Sequence, residues 1–176
     1  MTSALRIAII ARKDLTARQN AEITSLCSRA YGEDFSSILP LFDHPTHILA
    51  YANGDLVSHA LWITRPLDYN DTRLQSAYVE AVATEPAQQG RGYASALLRR
   101  LASAITPYDI GALSPSDPVF YTRFGWEVWR GPLYVATAAG SYPTPDDVVM
   151  ILRLPRTPPI DLQGKLTAPW RAGDIW

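Results

Sequence analysis

Along this chain the spacing of apolar and polar positions changes several times, and each change marks an element. Ala4 to Ile10 is an apolar run that predicts an outer strand. Thr16-x-x-Gln19 is a capping box, and behind it Ala17, Ile23, Leu26, Cys27 and Ala30 recur at helical spacing until Gly32 stops the helix. Glu33-Asp34-Phe35 opens a stretch that predicts a second short helix to Leu41, broken by Asp43-His44-Pro45. His47 to Ala52 and Leu56 to Thr64 read as paired strands, because Asn53-Gly54 between them is a strong hairpin signal. Pro66 to Arg73 reads as a polar turn. Tyr78 to Thr84 is a strand with one charge, Glu80, in its middle, and Pro86 ends it. Ala94, Leu97, Leu98, Leu101 and Ile105 then form one apolar stripe of a long helix, closed by Thr106-Pro107.

The second half is more broken. Asp109 to Leu113 predicts a short strand, Val119 to Arg123 a short helix, and Phe124-Gly125-Trp126 a turn into another strand. Tyr142 to Asp147 is a loop and Val148 to Leu154 the last predicted strand. From Pro155 the chain is proline-rich and weakly patterned. Its end, Pro169-Trp170-Arg171-Ala172-Gly173-Asp174-Ile175-Trp176, carries two tryptophans, which predicts that it docks on the domain. The sum is an α+β fold, with a central, mostly antiparallel twisted sheet flanked by helices.

Bulk properties narrow the function. With 176 residues, the expectation is a single domain over 1–176 that needs no staples. A net charge of −1 gives no case for nucleic-acid binding. A single cysteine, Cys27, excludes an internal disulfide and a cysteine metal cluster. His44, His47 and His59 have no ligand spacing, so no metal is expected. There is no signal pattern, and no run approaches the ~18 apolar residues of a membrane span, so the expected setting is cytoplasmic. Charge is uneven: residues 31–80 carry seven acids and two bases, net −5, which leaves +4 elsewhere. That split suits a cationic substrate and an anionic cofactor, or reflects solvated loops.

The chemistry concentrates after the Glu80 strand. Strand, glycine-rich turn and helix leave backbone N–H groups at a helix N-terminus, a site for an anion. Gln89-Gly90-Arg91-Gly92-Tyr93-Ala94 lacks the Gly-Lys-Ser/Thr of a Walker loop and the third glycine of the dinucleotide fingerprint. Gln89-x-x-Gly92-x-Ala94 instead resembles the coenzyme A loop of the GNAT superfamily of N-acetyltransferases, and Tyr121-x-x-Phe124-Gly125-Trp126 resembles that superfamily's penultimate helix and turn. The GNAT fold agrees with the element pattern.

Further runs sharpen the resemblance. Tyr78 to Ala83, Gly111 to Ser114, Thr144-Pro145-Asp146-Asp147 and Trp170 to Trp176 are similar to aminoglycoside 2′-N-acetyltransferases, most clearly from Gly32 onward. Those enzymes transfer the acetyl group of acetyl-coenzyme A to the 2′-amine of antibiotics such as gentamicin, tobramycin and kanamycin B, by direct attack of the amine on the thioester. The resemblance implies that Gln89, Gly90, Arg91, Gly92, Tyr93 and Ala94 hold the pyrophosphate. It implies that Val82 and Thr84 pair through their backbone with pantetheine. Glu80 would activate the amine through a water, and Tyr121 would protonate the departing thiolate. Asp34, Ala81, Ser114, Asp147, Asp174 and the carboxylate of Trp176 would bind the aminoglycoside, with the C-terminal segment docked at the substrate site. Related enzymes are often homodimers.

Each role has a plainer alternative. Glu80 could be a buried ion-pair partner, Tyr121 a core tyrosine, Asp147 and Asp174 turn and cap residues. Leu39 stands where relatives carry a second acid, with Asp43 or Glu33 as the candidates to compensate, and the loop from Ser114 to Tyr121 is about two residues short. Two rival functions stay open: acetylation of another amine (a polyamine, amino sugar or protein N-terminus), and a non-catalytic acyl-coenzyme A sensor.

Overall fold

A computed structural model describes residues 5–176. The elements follow in the order β1 (Arg6–Ala11), α1 (Ala17–Tyr31), β2 (Thr46–Ala52), β3 (Asp55–Tyr69), β4 (Thr72–Thr84), α2 (Tyr93–Ala104) and β5 (Ile110–Leu113). Then come α3 (Pro118–Thr122), β6 (Trp126–Val128), β7 (Leu133–Thr137), β8 (Gly140–Pro143), β9 (Met150–Arg153) and β10 (Leu166–Pro169). They fall into two compact units. One runs to Ile63 and takes in Val79–Ser103; the other comprises Thr64–Tyr78 and Ala104–Trp176. Strands β3 and β4 are long enough to contribute to both.

In the first unit β2 is antiparallel to β1 and to the first part of β3, with Leu49 opposite Ala8 and His59. Asn53 and Gly54 both have positive φ (54° and 90°), as a two-residue hairpin turn of matched twist requires. Helix α1 starts on the predicted capping box: Gln19 N–H donates to Thr16 Oγ1 at 3.2 Å and Thr16 N–H to Gln19 Oε1 at 2.9 Å. Gly32 ends it in the left-handed conformation, with its N–H on Ser28 O. Ile23, Leu26 and Cys27 of α1, Ile48 and Leu49 of β2, and Leu97, Leu98 and Leu101 of α2 are all buried, the apolar faces that the periodicity predicted. The segment after Gly32 forms only a single 3-10 turn, Leu39–Leu41, in place of the predicted second helix.

The second unit carries the sheet order β6-β9-β5-β4-β3-β10-β7-β8. The β5/β9, β6/β9, β7/β8 and β3/β10 pairs are antiparallel; β4/β5 and β7/β10 are parallel. Here the structure corrects the sequence reading in three places. The predicted turn over Pro66 to Arg73 is strand except for Asn70 and Asp71, whose φ values of 43° and 67° make a tight hairpin. The alternation was hidden because Arg65 points inward: it is buried, its guanidinium lies 4.8 Å from the Tyr78 ring centroid, and Nη2 donates to Pro169 O at 2.9 Å. Secondly, β9 is not the last strand. The proline-rich stretch contains β10, which pairs with β3 on one side and β7 on the other. Gly131 makes room for the approach to it, since a Cβ there would lie 1.9 Å from Gly164 O. Thirdly, the β7–β8 hairpin has no counterpart among the predicted elements.

Candidate active site

The candidate residues of the first unit follow one another along the end of β4 and the start of α2. Glu80 is half-buried. Ala81, beside it, has φ +50°, a left-handed conformation costing an alanine on the order of 1 kcal/mol and the mark of a bulge in the strand. Three consecutive carbonyls from this point accept side-chain hydrogen bonds: Ala81 O from His59 Nδ1 at 2.9 Å, Val82 O from Tyr31 Oη at 2.9 Å, and Ala83 O from Ser58 Oγ at 2.9 Å. Thr84 Oγ1 also meets Ser58 Oγ, at 3.0 Å. Glu85 is held by Arg29, Nη2 to Oε2 2.6 Å, which pins the exit of the strand.

Beyond it the turn carries two left-handed glycines, Gly90 (φ 77°) and Gly92 (φ 82°), and α2 begins at Tyr93. A Cβ built at either glycine would meet nothing within 4 Å, so the exposed backbone there is open to a ligand. Open left-handed backbone running into the first turn of a twelve-residue helix is a fitting cradle for a phosphate. Asp34 lies outside this run, exposed in the loop after α1. Its carboxylate accepts from Ser36 N–H and Ser36 Oγ, and the backbone hydrogen bond leads in holding its pKa below the usual carboxylate range. Leu39 is a buried apolar residue whose carbonyl accepts from Arg12 Nη1 at 2.9 Å.

In the second unit Ser114 is exposed just past the end of β5. Asp117 caps α3, accepting from Phe120 N–H at 3.4 Å, and Tyr121 is half-buried on that helix. The Tyr121 ring meets Trp126 edge to face at 6.2 Å. Burial first, and then the Asp117 carboxylate, push its phenol up to about 12. Tyr121 therefore keeps its proton throughout the neutral range, as a proton donor must. Asp147 is exposed in the loop before β9, its N–H on Thr144 O. The same Thr144 accepts, through Oγ1, a 2.8 Å hydrogen bond from the indole N–H of Trp176.

That contact answers the question about the chain's end. Trp176 is 4% exposed and docked, whereas Trp170 is 61% exposed. Between them the Arg171 guanidinium lies 5.3 Å from the Tyr78 ring centroid, its Nε donates to Asp174 O, and the Asp174 side chain is left at the surface. Sequence reasoning missed Tyr31, Ser58, Thr144 and the His47–His59 pair. A hydroxyl or imidazole bound to a backbone carbonyl, or a hydroxyl that accepts from a distant indole, leaves no periodic or spacing signal.

Comparison with known proteins agrees with this geometry. A family model described as an acetyltransferase (GNAT) domain matches residues 13–129. The chain belongs to the GNAT acetyltransferases. An aminoglycoside 2′-N-acetyltransferase from Mycolicibacterium fortuitum is 36% identical over 137 residues, 74% of this chain and 70% of that protein. Among solved structures, the GNAT family N-acetyltransferase YhbS from Escherichia coli, in complex with CoA, matches with a TM-score of 0.65 at 18% identity. That match covers 96% of this chain and 92% of YhbS. A GCN5-related N-acetyltransferase from Kribbella flavida gives a TM-score of 0.62 at 22% identity over 74% of this chain. The chain spans only 34% of the Kribbella protein's length. At these identities the two structures speak to the fold, and they bear out a GNAT α+β architecture. Among the described residues no helix is long and apolar enough to cross a membrane.

Proposed function

We propose that this GNAT acetyltransferase acetylates the 2′-amine of aminoglycosides, acting as one catalytic domain over the whole chain. The observation that carries the reading is the 36% identity to an aminoglycoside 2′-N-acetyltransferase. It is supported by the docked Trp176 with the surface carboxylates Asp147 and Asp174, which suit the ammonium groups of such a substrate. Acetyl-coenzyme A, when bound, supplies an acetyl group activated as a thioester. Gln89, Gly90, Arg91, Gly92, Tyr93 and Ala94 hold its pyrophosphate through their backbone N–H groups, and Val82 and Thr84 pair with its pantetheine arm. Only a free amine has the lone pair that the reaction uses, so Glu80 takes up the amine's proton through a water. A backbone N–H near Val82 would donate to the acyl oxygen as negative charge gathers there, and Tyr121 Oη would return a proton to the leaving sulfur. Asp34, Ala81, Ser114, Asp147, Asp174 and Trp176 bind the antibiotic. The setting proposed for this activity is cytoplasmic.

The deciding experiment measures thiol release from acetyl-coenzyme A with kanamycin B against kanamycin A, which has a hydroxyl where the former has the 2′-amine. Turnover with kanamycin B alone is expected. Equal rates with both would remove the 2′ assignment. A second reading, acetylation of another small amine, is favoured by the buried Leu39 and gains if polyamines or amino sugars react better than kanamycin B.

The coenzyme loop carries its own prediction. Gly92→Val would place a β-branched residue at φ +82°, straining the turn and crowding the approach to its backbone. Calorimetry on the folded variant is expected to show no measurable acetyl-coenzyme A binding, and unchanged affinity would refute the loop assignment.

A further inference from the structure

Two buried histidines have no part in the roles above. His59 on β3 is fully buried and His47 on β2 nearly so. His59 Nδ1 lies 2.9 Å from Ala81 O, and His59 Nε2 lies 2.9 Å from His47 Nδ1. A carbonyl oxygen only accepts, so the proton of His59 sits on Nδ1. Nε2 then carries the lone pair and accepts from His47 Nδ1–H. Cys27 Sγ, 3.5 Å from His59 Nδ1, is a secondary contact, and burial pushes its thiol up to about 12. Both imidazoles stay neutral: burial is the leading cause in bringing His59 down to about 3 and His47 down to about 4. The proximity of His47 lowers His59 further, and Arg12 does the same to His47. The two rings thus form one directed chain, His47 to His59 to the Ala81 carbonyl, with a single consistent tautomer for each.

The carbonyl at the end of this chain belongs to the one described residue of β4 with positive φ. A left-handed alanine inside a strand persists where its surroundings over-determine it. Ala81 lies directly between Glu80 and Val82. Whatever sets the peptide at Ala81 therefore sets where the Glu80 carboxylate points and how the Val82 N–H and C=O are turned. Ser58, adjacent to His59 on β3, ties Ala83 O at 2.9 Å in the same way, so carbonyls 81 and 83 are both committed to β3 side chains.

We propose that His59, backed by His47, is a positioning residue of the acetyl-transfer site: it holds the Ala81 carbonyl in the bulge and thereby fixes the Glu80 carboxylate and the Val82 backbone edge. The proposal rests on the reading that Val82 pairs with the coenzyme. A bare backbone could be bulged by other means. Here the donor is an imidazole whose tautomer is dictated by the carbonyl it serves and matched by a second imidazole behind it, so orientation is specified without adding a charge to the interior.

The test uses the full chain and three readouts. In the ligand-free protein, nitrogen NMR of the ring signals is expected to find His59 protonated at Nδ1 and bare at Nε2 between pH 6 and pH 8; the opposite tautomer overturns the proposal. Calorimetric titration with coenzyme A and steady-state kinetics then compare His59→Leu, which removes the donor, with His59→Asn, whose amide nitrogen replaces Nδ1. His59→Leu is expected to weaken coenzyme A binding and lower kcat by about tenfold each, and His59→Asn to return both to within about threefold of the parent. Parental values in a folded His59→Leu, or an Asn variant as impaired as Leu, overturn the proposal. Should His59→Leu fail to fold, His59→Gln takes its place, because its amide reaches the Nε2 position and misses Ala81 O; Gln matching or exceeding Asn overturns the proposal. Coenzyme A binding by the parent separates the two possible failures. Its absence removes the coenzyme reading and this proposal with it, whereas parental binding with indifferent variants removes the histidine role alone.

Discussion

Glu80→Gln is expected to lower turnover with kanamycin B and acetyl-coenzyme A by about 10²-fold or more, with little change in coenzyme affinity. Glutamine keeps the size and most of the hydrogen bonding of glutamate but cannot take up a proton near neutral pH. Glu80 is half-buried at the edge of the Ala81 bulge, so an isosteric change there disturbs packing less than truncation would. If Glu80 were only an ion-pair partner, the substitution would appear in thermal stability and leave kcat nearly intact. Raising the pH gives a second check. A larger free-amine fraction should recover part of the rate in the variant, because the substrate then arrives already deprotonated. Tyr121→Phe belongs to the same experiment and is expected to lower kcat by less, with KM almost unchanged. Two folded variants with parental turnover would show that the proton-transfer scheme is wrong.

Deleting Asp174 to Trp176 is expected to raise the Michaelis constant for kanamycin B by about 10²-fold or more while acetyl-coenzyme A affinity stays nearly constant. The deletion removes the Asp174 carboxylate and also the buried indole that anchors the segment on Thr144. A charge-assisted hydrogen bond contributes ~1.5–3 kcal/mol, and each 1.4 kcal/mol is tenfold in affinity. Loss of one such bond together with the fixed geometry of its neighbours reaches the stated size. Asp174→Asn separates the two contributions. It leaves Trp176 docked and should account for at least about tenfold by itself. Trp176→Ala should approach the full deletion, because it removes the buried indole that seats the segment on Thr144. Kinetics with the aminoglycoside that survive all three changes in folded protein would exclude the segment from substrate binding.

Much of the architecture was written locally. The capping box at Thr16, the stop at Gly32, the Asn53-Gly54 hairpin and the Leu97-Leu98-Leu101 stripe all depend on contacts within a few residues, and each appears where the pattern puts it. So does the order of strand, glycine turn and helix from Tyr78 to Ala104, whose left-handed glycines are forced by the turn itself. The residue types at the candidate site were legible for the same reason: a lone acid in an apolar strand and a tryptophan-rich end are conspicuous against their neighbours.

Other features needed partners distant in the chain. Arg65 reads as a turn residue until Tyr78 and Pro169 give its guanidinium a stacking face and an acceptor, which lets β3 continue through Pro66. Leu166–Pro169 is a strand because β3 and β7 flank it, and four residues beside prolines carry too little pattern to announce that. The left-handed turn of Ala81 is equally invisible, since alanine has no local preference for it and the bonds around it come from His59, Tyr31 and Ser58 on other elements. By itself, then, the sequence determined helices α1, α2 and α3, the Asn53-Gly54 hairpin, the glycine-rich turn and the chemical inventory, because short-range sterics and periodic burial act on neighbouring residues. The tertiary structure alone decided the sheet order, which tryptophan of the end is seated and on what partner, and the left-handed turn beside Glu80, because these rest on hydrogen bonds and packing between elements far apart in the chain.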